Sequence, residues 1–221
     1  MGIRFRNRRD AGQRLAKDLA SYARRDDVLV LALPRGGVPV GAVVADTLEL
    51  PLDVFVVRKL GLPGHEELAM GAIASGGVRI LDRDLIRLAR VPAAEVERVT
   101  AREMAELARR ERLYRDGRSL PDPRGKTVIL VDDGLATGST MRAAVEALRL
   151  EGPSRIIVAV PVAAAETCNA LRQVADEVVC SETPEPFMAV GSWYQDFSQT
   201  SDAEVHELIG GRSSAPKFSL P

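Results

Sequence analysis

Short apolar runs separated by amphipathic stretches set the rhythm of this chain. Val28 to Leu33 reads V-L-V-L-A-L and Val128 to Val131 reads V-I-L-V. Continuous runs of this kind are expected for strands buried on both faces of a parallel sheet. Asp53 to Val57, Arg155 to Val162 and Glu177 to Cys180 read as further strands. Helical patterns lie between them. Asp10 to Arg24 puts Leu15, Leu19 and Tyr22 on one face, and a helix from about Val38 to Leu48 follows the Pro34 to Gly37 turn. Met141, Ala144, Val145 and Leu148 recur at i, i+3, i+4 and i+7, the apolar stripe of an amphipathic helix. Alternation of strand and helix implies an α/β fold with a parallel sheet flanked by helices, whose ligands sit at the carboxyl ends of the strands.

The middle of the chain is patterned differently. Gly71 to Leu81 suggests a short hairpin around Gly76-Gly77, and two helical stretches run up to about Arg115. Ala93 to Arg115 carries Glu-to-Arg pairs at i, i+4, Glu106 with Arg110 and Glu111 with Arg115, and reads as an exposed helix laced with ion pairs. Asp116 to Gly125 is rich in Pro, Gly and Asp and marks a loop. Residues 1–209 are read as a single domain with an insertion at about 60–118, and residues 210–221 as a disordered polar tail.

Composition narrows the function classes. A hydrophobic content of 46% supports a full core, and 30 Lys+Arg against 31 Asp+Glu leaves no global nucleic-acid footprint. Any phosphate site must therefore be local. No apolar stretch approaches the roughly 18 residues of a membrane span, and M-G-I-R-F-R-N-R-R lacks the apolar region of a secretory leader. The expectation is a cytoplasmic protein acting on small molecules, without nucleic-acid or membrane partners, that could pair as a homodimer. Cys168 and Cys180 have no metal-ligand spacing and read as small core residues.

The most informative segment is V-I-L-V-D-D-G-L-A-T-G-S-T, Val128 to Thr140. A strand ends in two carboxylates and passes through a small-residue loop into a helix. Gly138 allows close backbone approach, Thr137, Ser139 and Thr140 offer hydroxyls, and the free amides of a helix N-terminus favour an anion. Asp132 and Asp133 are placed to accept hydrogen bonds from the hydroxyls of a sugar attached to that phosphate. A P-loop would need Gly-Lys-Ser/Thr, and Gly134 to Thr140 has no lysine. A dinucleotide fingerprint would need G-x-G-x-x-G, and these glycines are four apart. A purely structural turn with a hydroxyl cap explains Ser139 but not the acid pair.

Hydrophobic strand, Asp-Asp, three residues, Thr-Gly-x-Thr resembles the phosphoribosyl pyrophosphate signature of the type I phosphoribosyltransferases. The resemblance implies that Asp132 and Asp133 bind the ribose 2′ and 3′ hydroxyls, and that Ala136, Thr137, Gly138, Ser139 and Thr140 wrap the 5′-phosphate. Gly134 stands where the family has a bulky aliphatic residue, and is expected to loosen the loop. Arg35, Gly36 and Gly37, after the first core strand, match the family's pyrophosphate loop, with Arg35 gripping phosphate oxygens. Arg58 and Lys59, closing the next strand, are expected to reach the same group. Mg²⁺ is implied as cofactor, bound mainly through the diphosphate and water rather than a protein cage. Leu60 to Ile73 corresponds to a mobile loop that shields the reaction from water, with Gly61, Pro63 and Gly64 as hinges.

Pro184 to Phe197 holds three of the five Phe or Trp residues that follow the first fifty positions. It resembles the hood of the hypoxanthine-guanine enzymes, at about 184–202. Phe187 or Trp193 would stack on a base, and Asp196 with the backbone near Val190 would bond its edge. Ala136 replaces an acid of those enzymes, and Val160-Pro161-Val162-Ala163 leads to no lysine, so the groups that read a 6-oxopurine are missing. The implied activity is phosphoribosyl transfer to an aromatic nitrogen base with release of pyrophosphate. The alternative is a non-catalytic nucleotide sensor using the same pocket, against which stands the lack of a helix-turn-helix extension or basic stripe. A haloacid-type phosphatase would need Asp-x-Asp, which the adjacent acids do not supply.

Overall fold

The apolar runs form the middle of a five-stranded sheet. The structure is a computed structural model that describes residues 4–210. Its elements in order are α1 (Arg8–Asp18), β1 (Val28–Ala32), α2 (Gly37–Leu48), β2 (Leu52–Val54), β3 (Val57–Leu62), β4 (His65–Ala74), β5 (Val78–Leu81), α3 (Arg83–Leu88), α4 (Ala93–Arg115), β6 (Thr127–Val131), α5 (Ser139–Leu150), β7 (Arg155–Val162), α6 (Ala165–Leu171), β8 (Glu177–Glu182) and α7 (Asp202–Gly210). The expected tail at 210–221 lies, beyond Gly210, outside the described residues. No helix among the described residues is long and apolar enough to cross a membrane.

The sheet runs β2-β1-β6-β7-β8 with every pair parallel. Successive side chains of a strand point to opposite faces, and the core divides accordingly. Val28, Val30, Ile129 and Val131 pack with Leu15 and Leu19 of α1 and its following turn and with Val40 and Val44 of α2. Leu29, Leu31, Val128 and Leu130 pack with Met141, Val145 and Leu148 of α5 and with Leu171 of α6. A strand covered on both faces must be apolar at every position, which is why β1 and β6 read as unbroken runs. From β1 the chain steps outward to β2 and later returns to β6 on the other side of β1. The gap between the carboxyl ends of β1 and β6 is thus the topological switch point, where open α/β sheets bind ligands.

β3, β4 and β5 form a separate antiparallel sheet. The expected strand Asp53 to Val57 is therefore two strands in two sheets, joined by the buried Phe55 and Val56. The expected loop Leu60 to Ile73 is instead the β3–β4 hairpin, turning at Pro63-Gly64, and its outer residues His65 to Leu68 are exposed. Period-2 pairing accounts for the region better than the glycines suggested. The hairpin around Gly76-Gly77 is present as β4–β5.

α4 carries its expected surface pairs, and Arg109 and Arg110 pull the Glu106 carboxyl down to about 2. It is not merely solvated, because Val96, Val99, Leu107 and Tyr114 are buried with Leu60, Met70 and Ile73 of the hairpin and Val205 and Ile209 of α7. Its last residue, Arg115, is buried. Nε donates to Asp53 Oδ1 at 2.8 Å, Nη2 donates to the Val54 carbonyl at 2.5 Å, and Nη1 donates to Glu111 Oε1 at 2.8 Å. This network bolts the insertion to the edge of the main sheet. Removing one partner of a buried ion pair typically costs about 3–5 kcal/mol. Arg115→Ala is expected to lose about that much stability in urea denaturation, and Asp53→Asn combined with Arg115→Met to recover a substantial part of it.

Candidate functional site

β1 and β6 end level, with Ala32 opposite Val131, so the turns that follow them meet. The Leu33 amide donates to the Val131 carbonyl at 2.8 Å, and the Pro34–Arg35 peptide is cis. A Cβ on Gly36 would collide with Asp133 Oδ2, and one on Gly37 would lie 2.7 Å from the Val131 carbonyl and 2.9 Å from Asp132 Cα. No larger residue fits at Gly37, and at Gly36 one fits only if the Asp133 carboxylate turns aside. The two glycines predicted for the pyrophosphate and the two acids predicted for the ribose are thus in direct contact.

Each acid has one oxygen tied to the protein. Asp132 Oδ1 accepts from the Asp133 amide at 2.8 Å. Asp133 Oδ2 accepts from Arg8 Nε at 2.8 Å, with Arg8 Nη2 at the same 2.8 Å. Asp132 Oδ2 and Asp133 Oδ1 meet no donor of another residue among the described residues. Burial raises the affinity of both carboxyls for a proton. At Asp132 the neighbouring charge of Asp133 raises it further, whereas at Asp133 the Arg8 guanidinium works against burial. The pair is therefore uneven, with Asp132 the harder to ionise.

The loop after the acids ends in α5, whose N-cap is Gly138 at φ 68°, and no side chain caps the first turn. Its leading amides are left to a ligand. Thr167 Oγ1 of α6 donates to the Ala136 carbonyl at 2.5 Å, and a Cβ on Gly138 would lie 2.6 Å from Thr167 Cγ2. Thr137 and Ser139 hydroxyls lie 3.2 Å apart, and Lys59 Nζ donates to Ser139 Oγ at 2.6 Å. Thr140 lies in the first turn of the helix. The five predicted residues 136–140 therefore form one loop against α6, with an ammonium beside it.

The expectation that Arg58 and Lys59 act together on the pyrophosphate needs revision. They lie within β3, not at a strand end, and adjacent strand residues face opposite ways. Lys59 turns to the phosphate loop, while Arg58 turns to α4, with Nε 2.9 Å and Nη2 2.5 Å from Glu103 Oε2. Arg35 stands on the switch-point turn, its Nη1 3.9 Å from Asp202 Oδ1, which also accepts from the Tyr114 hydroxyl at 2.6 Å.

The segment expected to form a hood packs against a second one, at the start of the described residues, that the sequence does not suggest. Phe5 N–H donates to the Trp193 carbonyl at 2.9 Å, and the Gln195 and Asp196 amides donate to the Phe5 and Arg6 carbonyls at 2.8 and 3.0 Å. Phe5, Ala11, Val162 and Tyr194 form a small core with Phe187, Val190 and Trp193 packed against it. The Trp193 indole Nε1 is buried there without a hydrogen-bond partner among the described residues. Gly134 does not loosen the loop. A Cβ there would lie 2.5 Å from Val190 Cγ1, so the hood fills the space of the missing side chain. Asp196, expected at the edge of a base, is held in a local turn, its Oδ1 accepting from the Ser198 amide at 2.9 Å, which lowers its pKa. Phe187 lines a cavity of about 580 Å³ with Ala164, Ala165, Glu166, Pro184, Glu185 and Pro186, at the carboxyl ends of β7 and β8.

Sequence reasoning does not single out Arg8 or Tyr194. Tyr194 donates its hydroxyl to the Asp133 carbonyl at 2.5 Å. A local signal for Arg8 exists, since Asn7 caps α1 by accepting from the Asp10 amide at 3.0 Å, and an Asn-x-x-Asp start places Arg8 on the first turn.

Comparison with known proteins places the chain in a family. The phosphoribosyl transferase domain family matches residues 5–195. The Mycobacterium tuberculosis protein named "Putative phosphoribosyl transferase Rv0571c" is 46% identical over 201 residues, covering 91% of this chain and 45% of that protein. The chain thus spans about half the length of that relative. The crystal structure of TT1426 from Thermus thermophilus superposes with a TM-score of 0.83 at 42% identity, covering 94% of this chain and 98% of the other. "Bifunctional protein PyrR" of Brevibacillus brevis is 37% identical over 100 residues, 42% of this chain and 55% of that protein.

The uneven acid pair has a stability consequence. A carboxyl whose pKa is raised in the folded state contributes stability below its ordinary value of 3.8, and that contribution is lost as pH rises through the folded value. Asp132→Asn can still accept from the Asp133 amide but cannot ionise. It is expected to raise the melting temperature near neutral pH, and the gain should shrink as pH falls toward 4. In a chain of this size about 2–4 °C corresponds to 1 kcal/mol. Thermal unfolding followed against pH checks this.

Proposed function

Since the chain belongs to the phosphoribosyl transferase domain family, we propose that it transfers the phosphoribosyl group of phosphoribosyl pyrophosphate to a flat nitrogen heterocycle and releases pyrophosphate. The observation that carries this reading is the pair of carboxylate oxygens that meet no donor of another residue among the described residues, Asp132 Oδ2 and Asp133 Oδ1, beside an uncapped helix at the switch point. A vicinal diol on a ring whose exocyclic methylene carries a phosphate supplies the complement of both.

In this mechanism the amides of residues 137–140 hold the 5′-phosphate, with Lys59 adding charge. Asp132 and Asp133 accept from the ribose hydroxyls and orient the ring. As the bond to pyrophosphate breaks, positive charge develops on the sugar, and the two carboxylates stabilise it electrostatically. The Gly36–Gly37 backbone and Arg35 receive the leaving group, which requires Arg35 to leave its long contact with Asp202. Mg²⁺, carried by the diphosphate and water rather than by a protein cage, would supply charge neutralisation there. The hood and Phe187 hold the acceptor and exclude water that would otherwise capture the sugar.

The acceptor is proposed from what two positions of the chain lack. Ala136 offers no acid and Val162-Ala163 no lysine, so the polar edge of a 6-oxopurine would be unpaired, at about 1–3 kcal/mol for each group. Hypoxanthine and guanine are expected to be poor acceptors beside a nitrogen heterocycle lacking that carbonyl. Phe187→Ala should raise the acceptor KM and leave donor affinity nearly unchanged. Turnover assays over a panel of free bases test both, and efficient use of hypoxanthine by the wild type would refute the specificity argument.

Donor binding is tested by calorimetry. Phosphoribosyl pyrophosphate is expected to bind in the presence of Mg²⁺ and to bind Asp133→Ala more weakly, since a lost charge-assisted hydrogen bond costs about 1.5–3 kcal/mol. Unchanged affinity in both Asp132→Ala and Asp133→Ala would sink the assignment. Donor binding with no turnover on any base would instead favour a sensor.

A further inference from the structure

Arg8 belongs to the hood and to the acid pair at once. Its Nη1 donates to the Ser198 carbonyl at 2.6 Å, and its guanidinium carbon lies 4.1 Å from the centre of the Phe197 ring. Nε and Nη2 both lie 2.8 Å from Asp133 Oδ2. The ring fixes the plane of the guanidinium, the Ser198 carbonyl fixes one edge and the carboxylate fixes the other. With only 12% of the side chain exposed, the ion pair is largely withdrawn from water. Both contacts fall on the same oxygen, so the guanidinium orients the carboxylate without consuming Oδ1. Phe197 also lies 2.9 Å from where a Cβ on Gly191 would stand, in the turn that carries Val190 over Gly134.

We propose that Arg8 is a positioning residue for sugar recognition, which pins Asp133 by one oxygen, presents the other to a ribose hydroxyl and ties that carboxylate to the hood. The inference rests on the reading of Asp132 and Asp133 as the ribose acids. It assigns the N-terminal helix a part in the donor site. The charged and titratable groups around Asp133 are Asp132 on the same strand end, Arg8 from α1 and Tyr194 from the hood, whose hydroxyl bonds the Asp133 carbonyl rather than the carboxylate. Arg8 is the cation of that set. Without it Asp133 would hold its proton to higher pH and turn more freely.

The test is calorimetric titration with ribose 5-phosphate and, separately, inorganic phosphate, from acid to neutral pH, on wild type, Arg8→Ala and Arg8→Lys. Arg8→Ala is expected to lose ribose 5-phosphate affinity about tenfold or more, with the acid limb of binding moved to higher pH. Arg8→Lys, which keeps the charge but not the planar fork, should lose less. Methylguanidinium should restore part of the affinity to Arg8→Ala. Phosphate affinity should be unchanged, because the loop at 136–140 is intact, and this reports that the variant is folded. Should Arg8→Ala lose phosphate binding as well, Arg8→Lys decides the matter. A ribose 5-phosphate affinity and pH profile equal to wild type in the folded variant, or tighter binding, would overturn the proposal. If the wild type itself binds ribose 5-phosphate no better than phosphate, the ribose-acid reading falls first and the proposal with it.

Discussion

The backbone of Gly36 and Gly37 presses on the side chains of Asp132 and Asp133, and the rest of the site is arranged around that contact. It exists because β1 and β6 are neighbours in the sheet while the chain between them leaves to build β2 and the whole second sheet. Two strand ends far apart in the chain are thereby held level. The register that brings Ala32 opposite Val131 is fixed by apolar side chains alternating into two helical layers, and a slip of one residue would exchange those layers. The packing of the core thus sets the distance between the turn and the acids.

Charge is handled locally, as a nearly neutral chain requires. Two adjacent carboxylates at the edge of a dry core repel each other, and one guanidinium relieves both but is hydrogen-bonded only to Asp133. The N-terminal helix supplies that guanidinium, the hood stacks on it, and the hood also fills the space above Gly134. Elements from both ends of the domain converge on a single strand end. Instability of the acid pair is retained in the middle of the fold, as is common where binding demands charge.

The main sheet was legible because strands buried on both faces must be written as unbroken apolar runs, and the acid pair because nothing structural calls for two carboxylates there. Less was visible where residues act at a distance. Arg8 meets its partner 125 positions away, and no local pattern announces such a pairing. Arg58 and Lys59 look equivalent as adjacent cations until the strand is known to continue through them, after which alternation sends one to Glu103 and the other to Ser139. The break between β2 and β3 was hidden because Phe55 and Val56 are as apolar as a strand interior, though they serve to carry the chain between two sheets. The aromatic cluster of the hood was plain in composition, but whether each ring faces a cavity or the core depends on Phe5, which sequence proximity does not suggest.

Trp193 is the chain's single tryptophan, and it sits in the hood against the segment led by Phe5. Its emission therefore comes from one known place and needs no label. Light from that indole follows the joint between the two ends of the domain, so any ligand that tightens or loosens the hood writes its own optical record.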